Sequence, residues 1–212
     1  MSDERSALRV TELRPLDDAV CALSLSDGRK LRVSLGVVAD FSLYSGRELE
    51  GEELDAFLDA AALDRTKERA LRMIGARAMS EGEMFRRLVE KGETERHAAA
   101  AVARLVELHF LDDAAYAAMV VRHYAARGFG RRRIQDELYR RRVPRELWET
   151  ALEELPQQED TLDRLLRNRL RGKEADPAAW RKASDYLLRR GFSWEEIREA
   201  GERCRNSEEA YQ

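Results

Sequence analysis

A chain of 212 residues with 43% hydrophobic and 37% charged side chains is long enough for one large domain or two small ones, and apolar enough to offset its conformational entropy. Ala, Leu, Glu, Lys and Arg make up more than half of it, the bias of long amphipathic helices, which excludes an all-β sandwich. The net charge of −3 argues against a protein that coats nucleic acid through bulk positive charge, so any such binding has to be local.

No run of apolar residues reaches the roughly 18 needed to span a membrane, and Met1 to Arg5 lacks the apolar segment of a secretory leader. Cys21 and Cys204 stand far apart without a CxxC or His-rich neighbourhood, which suggests neither a disulfide framework nor a zinc site. A cytoplasmic protein with no membrane association is expected.

In chain order, the first elements are strands. Leu31, Val33 and Leu35 alternate with Lys30, Arg32 and Ser34, and Leu23 with Leu25 precede Asp27-Gly28, the pattern of a β-hairpin. Leu8 and Val10 suggest a third strand, followed by a short helix near 37–43 and another over 52–62 with Leu54, Phe57, Leu58 and Ala61 on one face. Residues 1–66 form an acidic amino-terminal segment, 8 basic against 14 acidic side chains.

From Lys67 onward every signal is helical. Ser80 with Glu83 and Ser193 with Glu196 form capping boxes, stapled by Met79 with Met84 and Phe192 with Ile197; Asp112 and Asp176-Pro177 mark further starts. Gly92, Gly128, Gly172 and Gly191 each follow a basic residue at the end of an apolar periodicity and read as helix stops. The segments Leu88-x-x-Lys91-Gly92, Leu138-x-x-Arg141-Arg142 and Leu187-x-x-Arg190-Gly191 recur at 50 and 49 residues. They predict a mainly α protein: three tandem three-helix repeats at 67–109, 110–155 and 156–206, an elongated curved array, with a tail at 207–212.

The charge of the repeats is uneven. Between Arg122 and Arg145 nine arginines face only Asp136 and Glu137, and between Arg164 and Arg190 nine basic residues face Glu174, Asp176 and Asp185. Arg131, Arg132 and Arg133 fall in the first turn of a helix whose core face is Ile134 and Leu138, the pole at which positive charge is unfavourable by about 0.3–1 kcal/mol each. Asp136 and Glu137 have to serve four arginines, and Arg131 faces only Gln135. Free amides flanked by surplus guanidinium groups would form a phosphate or carboxylate receptor, although a charge run is also what a solvated helix face looks like. Phe129, beside these arginines, is the aromatic to test for base stacking, with core packing the competing reading. Trp148, Trp180 and Trp194 read as core or inter-repeat packing.

No P-loop, HExxH, GxSxG or dinucleotide fingerprint occurs, and His97, His109 and His123 lack metal-ligand spacing. No enzyme, cofactor or metal site is expected.

These residues resemble the RecX regulators of the bacterial recombinase RecA. The central repeat carries the likeness in Phe110-Leu111-Asp112-Asp113-Ala114-Ala115-Tyr116-Ala117, Arg122, Gly128, Arg132, Ile134 and Glu137-Leu138; Ala70-Leu71, Arg77, Ser80, Glu83 and Leu88 support it in the first. In the third, Leu187-Leu188-Arg189-Arg190-Gly191-Phe192-Ser193 and Ile197 are similar to the family's closing element. One departure is Arg142, where the family commonly has Gly: either the helix ends differently or Arg142 is left-handed. The resemblance implies a non-enzymatic protein that binds the RecA filament on single-stranded DNA and inhibits its ATPase and strand exchange; a monomer is expected. Charge then selects Arg127, Arg131, Arg132, Arg133, Arg140 and Arg141 as contacts to DNA or filament, with Arg189 and Arg190 as secondary choices. The alternatives are a sequence-specific regulator that places one three-helix unit in the major groove of duplex DNA, and an adaptor that binds protein alone.

Overall fold

The computed structural model describes residues 7–155, 158–172 and 176–209, with side chains as far as residue 206. Met1 to Arg5, Pro156 at the start of the expected third repeat, Lys173, Glu174 and the end of the tail lie outside the described residues. Ten α-helices and one four-stranded sheet form among the described residues, and the chain divides into two compact units, Met1–Ala78 with Met84–Leu111 and Met79–Glu83 with Asp112–Gln212.

In the first unit the expected hairpin is β2 (Val20–Leu25) with β3 (Lys30–Ser34), turned at Asp27, whose carboxylate accepts the Arg29 N–H at 3.0 Å. Strand β1 (Leu8–Pro15) pairs antiparallel with β2, and a two-residue strand, β4 (Glu48–Leu49), which carries too few residues to show a period, completes the order β3-β2-β1-β4. Leu35 does not extend β3. The Ser34 hydroxyl accepts the Val37 N–H at 3.2 Å and so starts helix α1 (Leu35–Asp40) two residues earlier than the periodicity suggests. The alternating faces of the strands meet Phe57 and Ala61 in a core that includes Val10, Leu23, Val33 and Leu49.

The helix expected at 52–62 is only the first part of α2 (Gly51–Ala76), 26 residues and about 39 Å long at 1.5 Å per residue. Nothing between Ala62 and Lys67 breaks a helix, so residue 66 lies inside one. The amino-terminal part of α2 covers the sheet, whereas its later turns pack on α4 (Glu95–Glu107), the helix that follows α3 (Glu81–Glu90). Thr66 is fully buried at this junction; its hydroxyl donates to the Glu93 carboxylate at 2.8 Å, and Arg69 reaches the other oxygen at 3.0 Å. A buried carboxylate is tolerable here because donors surround it.

The second unit holds α5 (Asp113–Ala126), α6 (Arg131–Arg140), a short 3-10 turn (Arg145–Leu147) and α7 (Trp148–Glu153), then α8 (Glu159–Leu170), α9 (Pro177–Arg189) and α10 (Trp194–Glu209). Two cores form. Tyr116, Val121, Ile134, Leu138 and Leu152 build the first, and Leu162, Leu166, Leu187, Phe192 and Ile197 the second. The starts follow the expected caps: Asp112 accepts the Ala115 N–H, Asp176 the Ala178 N–H, and Ser193 and Glu196 accept each other's backbone N–H at 3.2 and 2.6 Å.

The three recurrent leucines are the pivots of three equivalent corners. Leu88, Leu138 and Leu187 are fully buried, and the carbonyl of each accepts the N–H five residues on, from Glu93, Val143 and Phe192, at 3.1, 3.1 and 3.2 Å. Such closure needs a left-handed residue. Gly191 supplies it with φ +92°, and Arg142 adopts it with φ +55° despite its side chain, so the corner keeps its shape. The tryptophans divide. Trp148 donates to the Val143 carbonyl at 3.0 Å and Trp180 lies against Gly201, but Trp194 is 55% exposed and is neither core nor packing.

Candidate nucleic-acid interface

All eight candidate arginines lie in the second unit, on α6 and α9 or in the corners after α5, α6 and α9. Gly130 caps α6 without a side chain to accept its amides, so those amides need partners from elsewhere. They find them in the corner after α9: the Gly130 N–H donates to the Arg190 carbonyl at 2.8 Å and the Arg132 N–H to the Gly191 carbonyl at 3.2 Å. The anion receptor expected at this helix start is therefore occupied by protein carbonyls. The same contact explains why three arginines are tolerated there, because the carbonyl pole of α9 faces the amide pole of α6.

A related arrangement recurs at the start of α3. The Ser80 hydroxyl donates to the Arg141 carbonyl, and a Cβ on Gly82 would stand 2.9 Å from the Arg142 carbonyl oxygen.

The guanidinium groups separate into three kinds. Arg131 does not face Gln135 alone; it binds Glu149 at 2.5 Å, and Arg122 binds Glu154 at 2.6 Å. Both acids come from α7 or its end, beyond the stretch over which the charge excess was counted. Arg133, Arg140 and Arg141 converge on Glu137, at 3.0, 3.3 and 3.7 Å, whose side chain is only 8% exposed. Burial disfavours charge on Arg141, but the Tyr116 and Tyr124 oxygens, a hydrogen bond to Tyr124 at 3.1 Å and Glu137 outweigh it and raise its pKa above the usual arginine value. Much of the expected surplus is thus neutralised.

Arg190 is a clamp. Its guanidinium donates to the carbonyls of Arg127 and Gly128 at 2.7 and 2.8 Å and stacks between Phe129 at 4.8 Å and Tyr186 at 5.1 Å. From it a chain of cation and ring contacts runs both ways: Arg169 lies over Tyr186 at 3.9 Å, Arg127 over Phe129 and Tyr124 at 5.8 and 5.9 Å, and Arg141 over Tyr124 at 5.7 Å. Such contacts contribute about 0.5–1 kcal/mol each at exposed sites. Phe129 itself is half-buried against the α5–α6 core. The i, i+4 spacing of Tyr186 and Arg190 was a readable signal; the arrival of Arg169 and Tyr124 was not, because α8 and α5 bring them from distant sequence.

Arg132 and Arg189 remain. Both are exposed, and neither has an ion-pair partner among the described residues. They flank the Gly130–Gly191 junction. Arg127 and Arg140 are also exposed, but Arg127 meets the Tyr124 and Phe129 rings and His123 Nε2 at 3.5 Å, and Arg140 donates to Glu137 at 3.3 Å. Of the eight, Arg132 and Arg189 are the guanidinium groups with neither an ion-pair nor a ring partner among the described residues. Among the described residues no group of three or more His, Cys, Asp and Glu is placed to hold a metal, and no helix is long and apolar enough to cross a membrane.

Comparison with known proteins matches three successive family models to the chain: the first three-helix domain of RecX over residues 67–105, the second over 112–152 and the third over 157–200. The regulatory protein RecX of Vibrio campbellii is 31% identical over 134 residues, 62% of this chain and 86% of that protein. Its counterpart in Stenotrophomonas maltophilia is 36% identical over 135 residues, 63% and 83%. A crystal structure of regulatory protein RecX shares the fold with a TM-score of 0.72 at 20% identity, covering 91% of this chain and 99% of that one. The RecX of Lactobacillus salivarius does so at 0.62 and 19%, over 68% and 96%. With three consecutive domain matches and relatives above 30% identity, the chain belongs to the RecX family of regulatory proteins.

Proposed function

We propose that this chain is a non-enzymatic, monomeric regulator of the cytoplasm that binds the RecA filament on single-stranded DNA and inhibits its ATP hydrolysis and strand exchange, with the repeats at 67–109, 110–155 and 156–206 as its docking modules. Family membership supports regulation of RecA. The observation that carries the nucleic-acid half of the reading is the pair of exposed, unpaired guanidinium groups, Arg132 and Arg189, on either side of a junction clamped by arginine–aromatic stacking. Cations held on a stiff support attract phosphate in a salt-sensitive way while the chain as a whole stays acidic.

The test is ATP hydrolysis by RecA on single-stranded DNA, titrated with wild type and with the Arg132→Ala/Arg189→Ala double variant. Wild type inhibits, and the variant needs a higher dose. No inhibition by excess wild type overturns the proposal. Inhibition unchanged in the variant, with no DNA binding at low salt, points to a protein-only adaptor, and tight binding to one duplex sequence points to a DNA-binding regulator.

A further inference from the structure

Strand β3 is an outer strand of the sheet, and its free edge is only partly covered. The Leu25 N–H bonds to the Arg29 carbonyl at 2.9 Å and the Leu35 N–H to the Ala19 carbonyl at 2.9 Å, so by antiparallel alternation Leu31 and Val33 turn their backbone groups toward β2. Those of Lys30, Arg32 and Ser34 then point outward. The outward Ser34 N–H already has an acceptor, the Asp64 carboxylate of α2 at 2.9 Å. The N–H and C=O groups of Lys30 and Arg32 have none among the described residues and open into a groove of about 370 Å³ between β3 and α2.

The groove has two walls of different chemistry. Leu31, Leu58, Ala61 and Ala62 form an apolar floor, while Arg29, Lys30, Arg32 and Arg65 supply four cations against the single carboxylate of Glu68. Lys30 has no ion-pair partner among the described residues. Three of the cations hold partners, Arg29 with Asp27 at 2.6 Å, Arg32 with Glu68 at 3.1 Å and Arg65 with Glu93 at 3.4 Å. Arg29–Asp27 and Arg32–Glu68 are partly exposed on both sides, so those two pairs are weak and exchangeable, whereas Arg65 is held by the buried Glu93.

We infer that this groove binds an extended acidic peptide of a partner protein, added as a further strand to the edge of β3. The backbone groups of Lys30 and Arg32 supply hydrogen bonds, and strand alternation supplies selectivity. One face of the peptide sets aliphatic side chains on Leu31, Leu58 and Ala62; the other sets carboxylates by Lys30 and Arg32. The required pattern is acid and aliphatic in strict alternation. This site is separate from the arginines of the second unit, so either reading can fail alone.

The experiment is fluorescence anisotropy with the full chain and a labelled peptide, Glu-Val-Asp-Val-Glu-Ile-Asp, beside a block-scrambled peptide of the same composition and an alternating peptide N-methylated on every second backbone nitrogen. The alternating peptide binds, with affinity falling as salt rises. The scrambled and N-methylated peptides bind at least tenfold more weakly, as does the alternating peptide to Lys30→Glu/Arg32→Glu protein whose circular dichroism matches wild type. Equal binding of alternating and N-methylated peptides overturns strand addition, even if the double variant fails to fold. A concentration-dependent dimer without peptide binding shows a second copy as the occupant and also overturns the inference.

Discussion

Gly130 and Gly191 meet backbone to backbone: a Cβ on Gly130 would stand 2.6 Å from the carbonyl carbon and oxygen of Gly191, and one on Gly191 would stand 2.5 Å from the Cβ of Arg133. No side chain could give way there. The corner after α9 reaches the start of α6 because both residues lack one.

Gly130→Ala tests this contact free of backbone strain, because Gly130 has an ordinary φ of −79°. Overpacking of this kind costs about 1–3 kcal/mol. Gly172→Ala is the opposite control: φ is +73° but nothing lies within 4 Å of its Cβ, so the cost is the left-handed penalty of about 1–2 kcal/mol alone. Thermal melts give the losses, and hydrogen exchange at the Gly130 and Arg132 amides accelerates only in Gly130→Ala.

Arg132→Ala and Arg190→Ala separate binding from support. The exposed Arg132 guanidinium has no ion-pair partner among the described residues, so its loss leaves Tm unchanged and lowers the salt slope of single-stranded DNA binding by about one. Arg190 makes two hydrogen bonds and two ring contacts, so its loss lowers stability by about 1–3 kcal/mol. A drop in Tm for Arg132→Ala, or none for Arg190→Ala, contradicts the assignment.

Glu137→Gln removes the carboxylate that Arg133, Arg140 and Arg141 share while keeping its shape. Stability falls, because a nearly buried carboxylate that orders three cations is lost, by about 3 kcal/mol at most. Low-salt affinity for single-stranded DNA rises as the same cations become available. Unaltered affinity in the folded variant would show that these arginines face no nucleic acid.

Asp113→Asn probes the one buried carboxylate at the start of α5, which accepts the Glu81 N–H at 2.8 Å. Burial raises its pKa; the hydrogen bond from Glu81 opposes this, and the neighbouring Asp112 charge adds to the rise. A carboxyl whose folded pKa is raised destabilises the fold above that pKa and ceases to do so as pH falls toward the unfolded value. The variant therefore melts higher than wild type at pH 7, and the difference closes on acidification toward pH 4. A constant difference across this range would contradict the charge argument.

The helical corners were legible in sequence because their cause is local. Leu88, Leu138 and Leu187, the Ser193–Glu196 capping box and the Asp176-Pro177 start each act within a single turn, and spacing alone reveals them. Strand β4 was not, since two residues carry no period, and the continuity of α2 was missed because a change in what a helix packs against leaves no mark on its own propensity. The arginines are legible as a group, but the acids that meet them are not. Counting charge along the chain omitted Glu149 and Glu154, which α7 folds back onto α5 and α6.

Sequence by itself determined the mainly helical class, the three repeated corners, the caps and the region in which positive charge collects, since each depends on residues within about five positions of one another. Only the tertiary structure decided which of those charges are free. The Gly191 carbonyl fills the start of α6, Glu137 gathers three guanidinium groups, Arg190 turns inward, and Arg132 and Arg189 are left outside. The physical reason is that neutralisation falls off over a few ångströms of space, and residues that close are set by packing between helices rather than by distance along the chain.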